Sequence, residues 1–248
     1  MQKHKLLFQD PQSNHTLCDT QHCLRLTDLE EVGDLTHHLD FYMLGLFSFK
    51  QLSVQNGVDF WMSFLKSVDC SPDTVTIHPD KSDWVSLYDQ YDVDIQLDPE
   101  CLWSDGNIGG YCTEFYLKGV EIGNIVNPLE HSLDCGFGLE RIEKFWNNQC
   151  GIVSKSLTRS DVLNHTIEVL LEQGVIPSHQ KQGYVLRRLI REQLQRENLL
   201  SLHPLIEKEK VRRNQIIGRM DKLVKKHPHQ PKEWFWETHG IHMDDWQK

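Results

Sequence analysis

Leu133-Asp134-Cys135-Gly136-Phe137-Gly138-Leu139-Glu140-Arg141 places a carboxylate, two glycines and an arginine within one short passage. The apolar residues alternate up to Gly138 and charged residues then follow, a pattern that reads as a strand running into a helix. Glycine lets a ligand come close to the backbone. Arg141 carries a permanent, forked positive charge suited to phosphate oxygens, and Asp134 can hold a cationic amine beside that anion. The set suits an ammonium and a polyphosphate bound side by side, although an Asp-x-Gly-x-Gly turn ahead of a helix also occurs as plain scaffold.

The preceding residues add groups of the same kind. Glu121-Ile122-Gly123-Asn124-Ile125-Val126 reads as a strand, with Ile122, Asn124 and Val126 on one face. Before it, Leu102-Trp103 leads through a glycine-rich turn to Tyr111-Cys112-Thr113-Glu114. Further upstream come Cys23-Leu24-Arg25, Asp28-Leu29-Glu30-Glu31-Val32-Gly33 and a strand-like run from His37 to Phe49. By residue type alone, Trp103 reads as a core or surface aromatic and Ile122 as core, and Arg25 and Arg141 equally well as structural ion pairs. His37-His38 with Cys18 and Cys23 fits no standard zinc spacing. No Ser/His/Asp or Cys/His arrangement is legible.

The elements that must position these groups are of mixed type. Strands are predicted at Lys5–Gln9, Asp40–Phe49, Thr74–His78, Thr113–Leu117 and Val120–Val126, and a helix over Gln55–Val68. From Ser154 the pattern turns helical. One helix starts near Ser160-Asp161 and ends at Gly174, a second covers Gly183–Gln195, and a third covers Leu205–Lys226 before a Pro/His break and a Trp-rich tail. This gives an α+β domain over 1–153 and a small helical domain over 154–248.

Composition sets outer bounds. The 248 residues allow one large or two modest domains, and 39% hydrophobic and 25% charged residues are ordinary for a soluble globular protein. No apolar run is long enough to span a bilayer, and the first residues lack a signal-peptide core. Seven irregularly spaced cysteines read as reduced thiols in a cytosolic protein. A net charge of −10 excludes a protein that simply coats nucleic acid, yet Arg187, Arg188, Arg191, Arg196 and many residues between Lys208 and Lys226 make a basic arm. A solvated helix face is the ordinary reading of such a run.

In this order, the pieces resemble the alanyl-tRNA synthetase family. The likeness runs from about Leu17 to Trp246. It takes in Cys-x-Arg, Asp-Leu-x-x-Val-Gly, His37-His38 leading to Phe41, Met43-Leu44-Gly45, Phe47-Ser48-Phe49, Glu121-Ile122, Asn124-Ile125-Val126 and GFGLER. It continues through Gly174-Val175-Ile176-Pro177-Ser178 to Gly183-Tyr184-Val185-Leu186-Arg187-Arg188. The resemblance implies a class II synthetase fold, an antiparallel sheet with flanking helices, that activates alanine or another small amino acid with ATP. It implies Arg25 on the α-phosphate and Arg141 at the far end of a bent ATP, with Gly138 also against the nucleotide. Asp134 would hold the α-ammonium, Trp103, Ile122 and Gly136 would wall the side-chain pocket, and Asn124 would orient the substrate. Mg²⁺ comes with ATP, and Glu121 is its candidate ligand. A tRNA acceptor stem would meet His179, Arg187, Arg188 and Arg191; a carrier protein, peptide or small metabolite is the alternative acceptor, and a non-catalytic relative that binds ATP, tRNA or protein is the third reading.

The departures fall unevenly. Motif 1 of the family has at most an echo in Leu6-Leu7-Phe8, and the loop after Arg25 is cut to Leu26-Thr27. In the motif-2 strand the family's Thr, Phe and Glu become Leu39, Asp40 and Tyr42, and an Asn becomes Leu46. Gly123 replaces a tryptophan, a change expected to reshape the pocket, and His179 replaces an asparagine that reads the acceptor stem. The chain reads as a truncated, stand-alone catalytic-domain-like paralogue, better kept for amino-acid activation than for tRNA selection.

Overall fold

The computed structural model describes residues 4–25, Leu29, Val32, 39–149, 158–196 and 203–241. His37, His38, Asp28, Gly33, the loop at Leu26-Thr27 and Trp246, all singled out above, lie outside the described residues. Two units emerge: one from Met1–Thr27 with Asp40–Ser156, the other from Asp28–Leu39 with Leu157–Lys248.

The first unit is built on one mixed sheet. Its strands are β1 (Thr16–Leu24), β2 (Asp40–Phe49), β3 (Thr74–Ile77), β4 (Asp94–Leu97), β5 (Leu102–Asp105), β6 (Ile108–Leu117), β7 (Val120–Val126) and β8 (Ser132–Gly138). The order is β1-β2-β8-β7-β6-β3-β4, with β5 paired to β6. The expected all-antiparallel sheet is corrected at one edge, because β4 runs parallel to β3. The ten-residue 3₁₀ segment Pro79–Tyr88 makes that crossover possible, carrying the chain back so that β4 restarts in the direction of β3.

One face of the sheet is the core. Helix α2 (Val54–Ser67) begins with a capping box in which Ser53 and Asn56 satisfy each other's backbone amides. Its Val58, Trp61, Met62 and Leu65 pack on Leu46, Phe115, Ile125, Leu133, Cys135 and Phe137. Trp61 stacks on Phe137 with centroids 3.9 Å apart. Helix α3 (Leu139–Gln149) follows β8 directly and adds Ile142 and Phe145.

Two local expectations change in this unit. Lys5–Gln9 is a short helix, α1, whose Phe8 packs with Phe47, Phe49 and Ile108 on the sheet's other face. Residues 108–112, read as part of a turn, belong to β6, and the turn is confined to Gly106-Asn107, with Gly106 at φ +66°. A Cβ on Gly110 would strike the Asn127 carbonyl, so the glycines here permit close backbone approach.

The second unit is helical: α4 (Arg159–Glu172), α5 (Lys181–Gln195), α6 (Pro204–Ile217), α7 (Met220–Lys226) and α8 (Lys232–His239). The single helix expected over Leu205–Lys226 is broken at Gly218-Arg219. Buried Gln193 of α5 donates to the Ser160 carbonyl at 2.8 Å, and Arg159 pairs with Glu192 at 3.0 Å, so α4 and α5 are fastened together. Arg159 also donates to the Leu29 carbonyl, and Leu29 and Val32 are buried. In Gly174-x-x-Pro177-Ser178 and Gly183, the Ser178 amide donates to the Gly183 carbonyl at 2.9 Å. Gly183 has no room for a side chain against Ser178 and Ile176.

Candidate functional site

Register across the sheet collects the singled-out groups. Residues paired across strands share a face, so Asp19, Gly45, Gly136, Asn124 and Glu114 form one row facing away from α2. The adjoining row is Leu17, Phe47, Asp134, Val126 and Cys112. On the other side of the first row lie Gln21, Met43 and Gly138. Gly45 and Gly136 are therefore the floor of a trough. Asp134 and Phe47 flank it on one side and Met43 on the other, and Asn124 stands at one end. A Cβ at Gly136 would lie 3.2 Å from Met43 Sδ and 3.9 Å from Asn124 Oδ1, so the space above this glycine is narrow.

The phosphate-type groups lie at one end. β1 and β8 both pair antiparallel with β2, hence run in the same direction, and Arg25 follows the end of β1 as Arg141 follows the end of β8. Asp134 and Gly138 are four residues apart on β8, about 13 Å along the strand. A ligand lying along β8 therefore passes from carboxylate to arginines. Arg25 is exposed. Arg141 donates to the Glu121 carbonyl at 2.6 Å and pairs with the Glu121 carboxylate at 3.2 Å. The pair is partly exposed, at 23% for Arg141 and 33% for Glu121, so solvent screens it and a phosphate can compete for the guanidinium. Glu140 braces this corner, its carboxylate accepting the Tyr42 amide at 2.8 Å where β2 has passed the end of β8.

Asp134 is the buried charge of the site, at 8% exposure. Burial pushes its carboxyl above the ordinary aspartate range. His4 bonds Asp19 at 3.1 Å and lies against the Phe47 ring, so the segment entering α1 closes the Asp19 end of the trough.

Other expected site residues are placed differently. Ile122 sits at the register shift between β6 and β7, fully buried with the main core cluster. Trp103 is half-buried over Cys101, Cys112 and Val126 on the site face. The Gly123 change does not open the trough: Gly123 faces α2, where the Phe137 ring takes the space a side chain would need. Leu46, in place of the family's asparagine, likewise joins the core. Asp40 and Tyr42 engage His22, by a 3.3 Å bond and by ring stacking at 4.6 Å.

Sequence reasoning missed Asp19, His4 and a thiol–carboxylate cluster at Cys101, Cys112 and Glu114. Asp19 could be found only by knowing its register with Gly45. Cys112-x-Glu114 carried a legible signal, since alternation puts both on one face. A separate cavity of about 360 Å³ lies by α2, lined by Cys18, Thr20, Leu44, Phe60, Trp61 and Phe64 among others, on the core side of β1 and β2.

In the helical unit, Arg187 is committed to structure. It donates to buried Glu209 at 3.2 Å and to the Pro177 carbonyl at 3.0 Å. Arg188 and Arg191 instead line a cavity of about 250 Å³ with Tyr184, Trp236, Glu237 and Gly240. His179 is exposed just ahead of α5. Arg187→Ala is expected to destabilise this unit by about 3 kcal/mol, because it takes from the buried Glu209 carboxylate its 3.2 Å partner, with Arg212 at 3.7 Å. Arg188→Ala, at a residue that lines this cavity, should cost less than Arg187→Ala. Urea unfolding of the two variants checks the contrast.

No family model matches the chain. It is similar to curated alanine–tRNA ligases. The protein of Desulfitobacterium hafniense (strain Y51) is 28% identical over 258 residues, covering 76% of this chain and 30% of that protein. That of Tropheryma whipplei (strain Twist) is 27% identical over 79% of this chain and 30% of its own length. That of Legionella pneumophila (strain Corby) is 28% identical over 81% and 31%. The chain thus spans about a third of the length of these relatives.

Proposed function

We propose that this relative of the alanyl-tRNA synthetases uses a class II synthetase-like sheet to activate alanine or another small amino acid with ATP, and that the aminoacyl group passes to tRNA. The observation that carries the reading is the order of groups along β8: buried carboxylate, glycine floor, then arginine, with a second arginine at the same end of β1. Asp134 receives the α-ammonium, and the narrow space between Met43 and Asn124 over Gly136 admits a small side chain. A wall of this kind excludes larger amino acids strongly and separates alanine from glycine or serine weakly.

The substrate carboxylate attacks the α-phosphorus, the new phosphorus–oxygen bond forms, and the bond to pyrophosphate breaks. Arg25 and Arg141 neutralise charge on the phosphates during this displacement, so the protein contributes position and electrostatics. ATP brings Mg²⁺, which neutralises phosphate charge. Glu121, a half-exposed carboxylate at the phosphate end, fits as a ligand once ATP draws Arg141 away. No proton transfer by the protein is required.

For the acceptor, support comes from the helical unit. Arg188 and Arg191 stand with Tyr184 and Trp236 around one cavity, a combination of cationic and stacking groups suited to a nucleic-acid backbone and an unpaired base. Incubation with radiolabelled alanine, ATP and total tRNA should give acid-precipitable, RNase-sensitive label. Arg188→Ala should reduce charging at least about tenfold while leaving adenylate formation unchanged, the loss expected for one arginine contact of about 1.4 kcal/mol or more. Adenylate formation without tRNA charging would transfer the reading to a carrier protein, peptide or small metabolite as acceptor.

A further inference from the structure

A second constellation lies on the same sheet face and takes no part in the chemistry above. Cys101 and Cys112 close the open end of the β5–β6 hairpin, where the Cys112 amide donates to the Cys101 carbonyl at 3.0 Å. Both thiols are buried with Val126, and Trp103 packs over them. Glu114 is two residues farther along β6 and shares the face of Cys112, with its carboxylate 3.9 Å from the Cys112 sulfur. The two sulfurs and a carboxylate oxygen all lie within 4.8 Å of one another.

Two of these three groups are themselves oriented. The Thr76 hydroxyl is 2.9 Å from the Cys101 sulfur. The Tyr116 hydroxyl donates to the other Glu114 oxygen at 2.8 Å. Outer partners of this kind fix the direction of metal ligands and set their basicity. We propose that Cys101, Cys112 and Glu114 bind one thiophilic divalent cation of the zinc class, with a fourth position left for water or a donor atom of a substrate.

The geometry needs little adjustment. A tetrahedral ion with bonds of about 2.3 Å to sulfur and about 2.0–2.2 Å to oxygen holds its ligand atoms roughly 3.5–3.8 Å apart. Two thiolates select zinc over magnesium, so the site is chemically distinct from the phosphate-end carboxylate Glu121. Binding releases both thiol protons to solvent. Glu114 is the cross-strand neighbour of Asn124, and Cys112 is two strands from Asp134, about 10 Å. The ion therefore sits beside the amino-acid end of the trough. The proposal stands on these residues whether or not the chain forms adenylates.

Protein purified without chelators is expected to contain about one zinc per chain by plasma mass spectrometry. Cys112→Ser should lose it, and Cys18→Ser, which alters an exposed thiol, should keep it. Cobalt replacing zinc should give thiolate-to-cobalt charge-transfer bands that Cys101→Ser weakens, with circular dichroism confirming that each variant is folded. Metal-free wild-type protein with both thiols reduced would overturn the proposal. A Cys101–Cys112 disulfide, mapped after blocking free thiols, or zinc retained in folded Cys112→Ser would do the same. The first two outcomes are read on wild-type protein and need no variant to fold.

Discussion

Asp134→Asn is expected to abolish alanine-dependent activation while making the protein more stable at neutral pH. The activity loss follows from the ammonium: removing one partner of a buried charged pair costs about 2–5 kcal/mol. That corresponds to a fall in kcat/KM of roughly thirtyfold to several thousandfold. The stability gain follows from burial. The Asp134 carboxyl is pushed above its ordinary range, so the folded protein keeps its proton over a window in which the unfolded chain has lost it. Stability therefore falls as pH rises from the unfolded value near about 4 through the raised folded value. Asparagine has no such slope. The variant should melt above wild type at neutral pH, and the difference should vanish below about pH 4. Melting curves across pH check the second half. A variant that is inactive and also less stable at neutral pH would make Asp134 a structural residue.

The second large effect concerns Gly123 and Phe137. Gly123→Leu drives a side chain into the Phe137 ring, and Phe137→Ala empties the centre of the stack with Trp61 and Phe115. Overpacking costs about 1–3 kcal/mol or more, and a buried Phe→Ala change about 3–5 kcal/mol. Since the two occupy one volume, the double variant should be more stable than the sum of the singles by at least about 1 kcal/mol. Urea unfolding of the four proteins measures this. Additive losses would mean that Phe137 does not fill the place vacated at Gly123.

The same pair shows what could be read from the sequence. The period-two pattern of Asp40–Phe49 and Val120–Val126 was enough to find both strands, and the string from Asp134 to Arg141 did mark a strand passing into a helix. Which face each residue takes was harder to read. The register shift opposite Phe115 and Tyr116 brings Ile122 into the core, although simple alternation put it with Asn124. Gly123 looked like a change in the pocket because its neighbour across the strand, Phe137, was invisible along the chain. Lys5–Gln9 failed for the same reason, since an apolar run of that length is a strand or a helix according to what it packs on. Arg187, Arg188 and Arg191 looked alike as a basic run. The structure tells them apart by surroundings: Arg187 pairs with buried Glu209, and Arg188 and Arg191 line a cavity.

The central claim is that Asp134, Gly136, Arg25 and Arg141 make one two-substrate site for adenylate formation. Pyrophosphate exchange into ATP by the purified wild-type protein tests it without any acceptor. Exchange that depends on alanine, falls with glycine and serine, and disappears in Asp134→Asn is the predicted result. No exchange above background with alanine, glycine or serine, from protein shown to be folded, would contradict it.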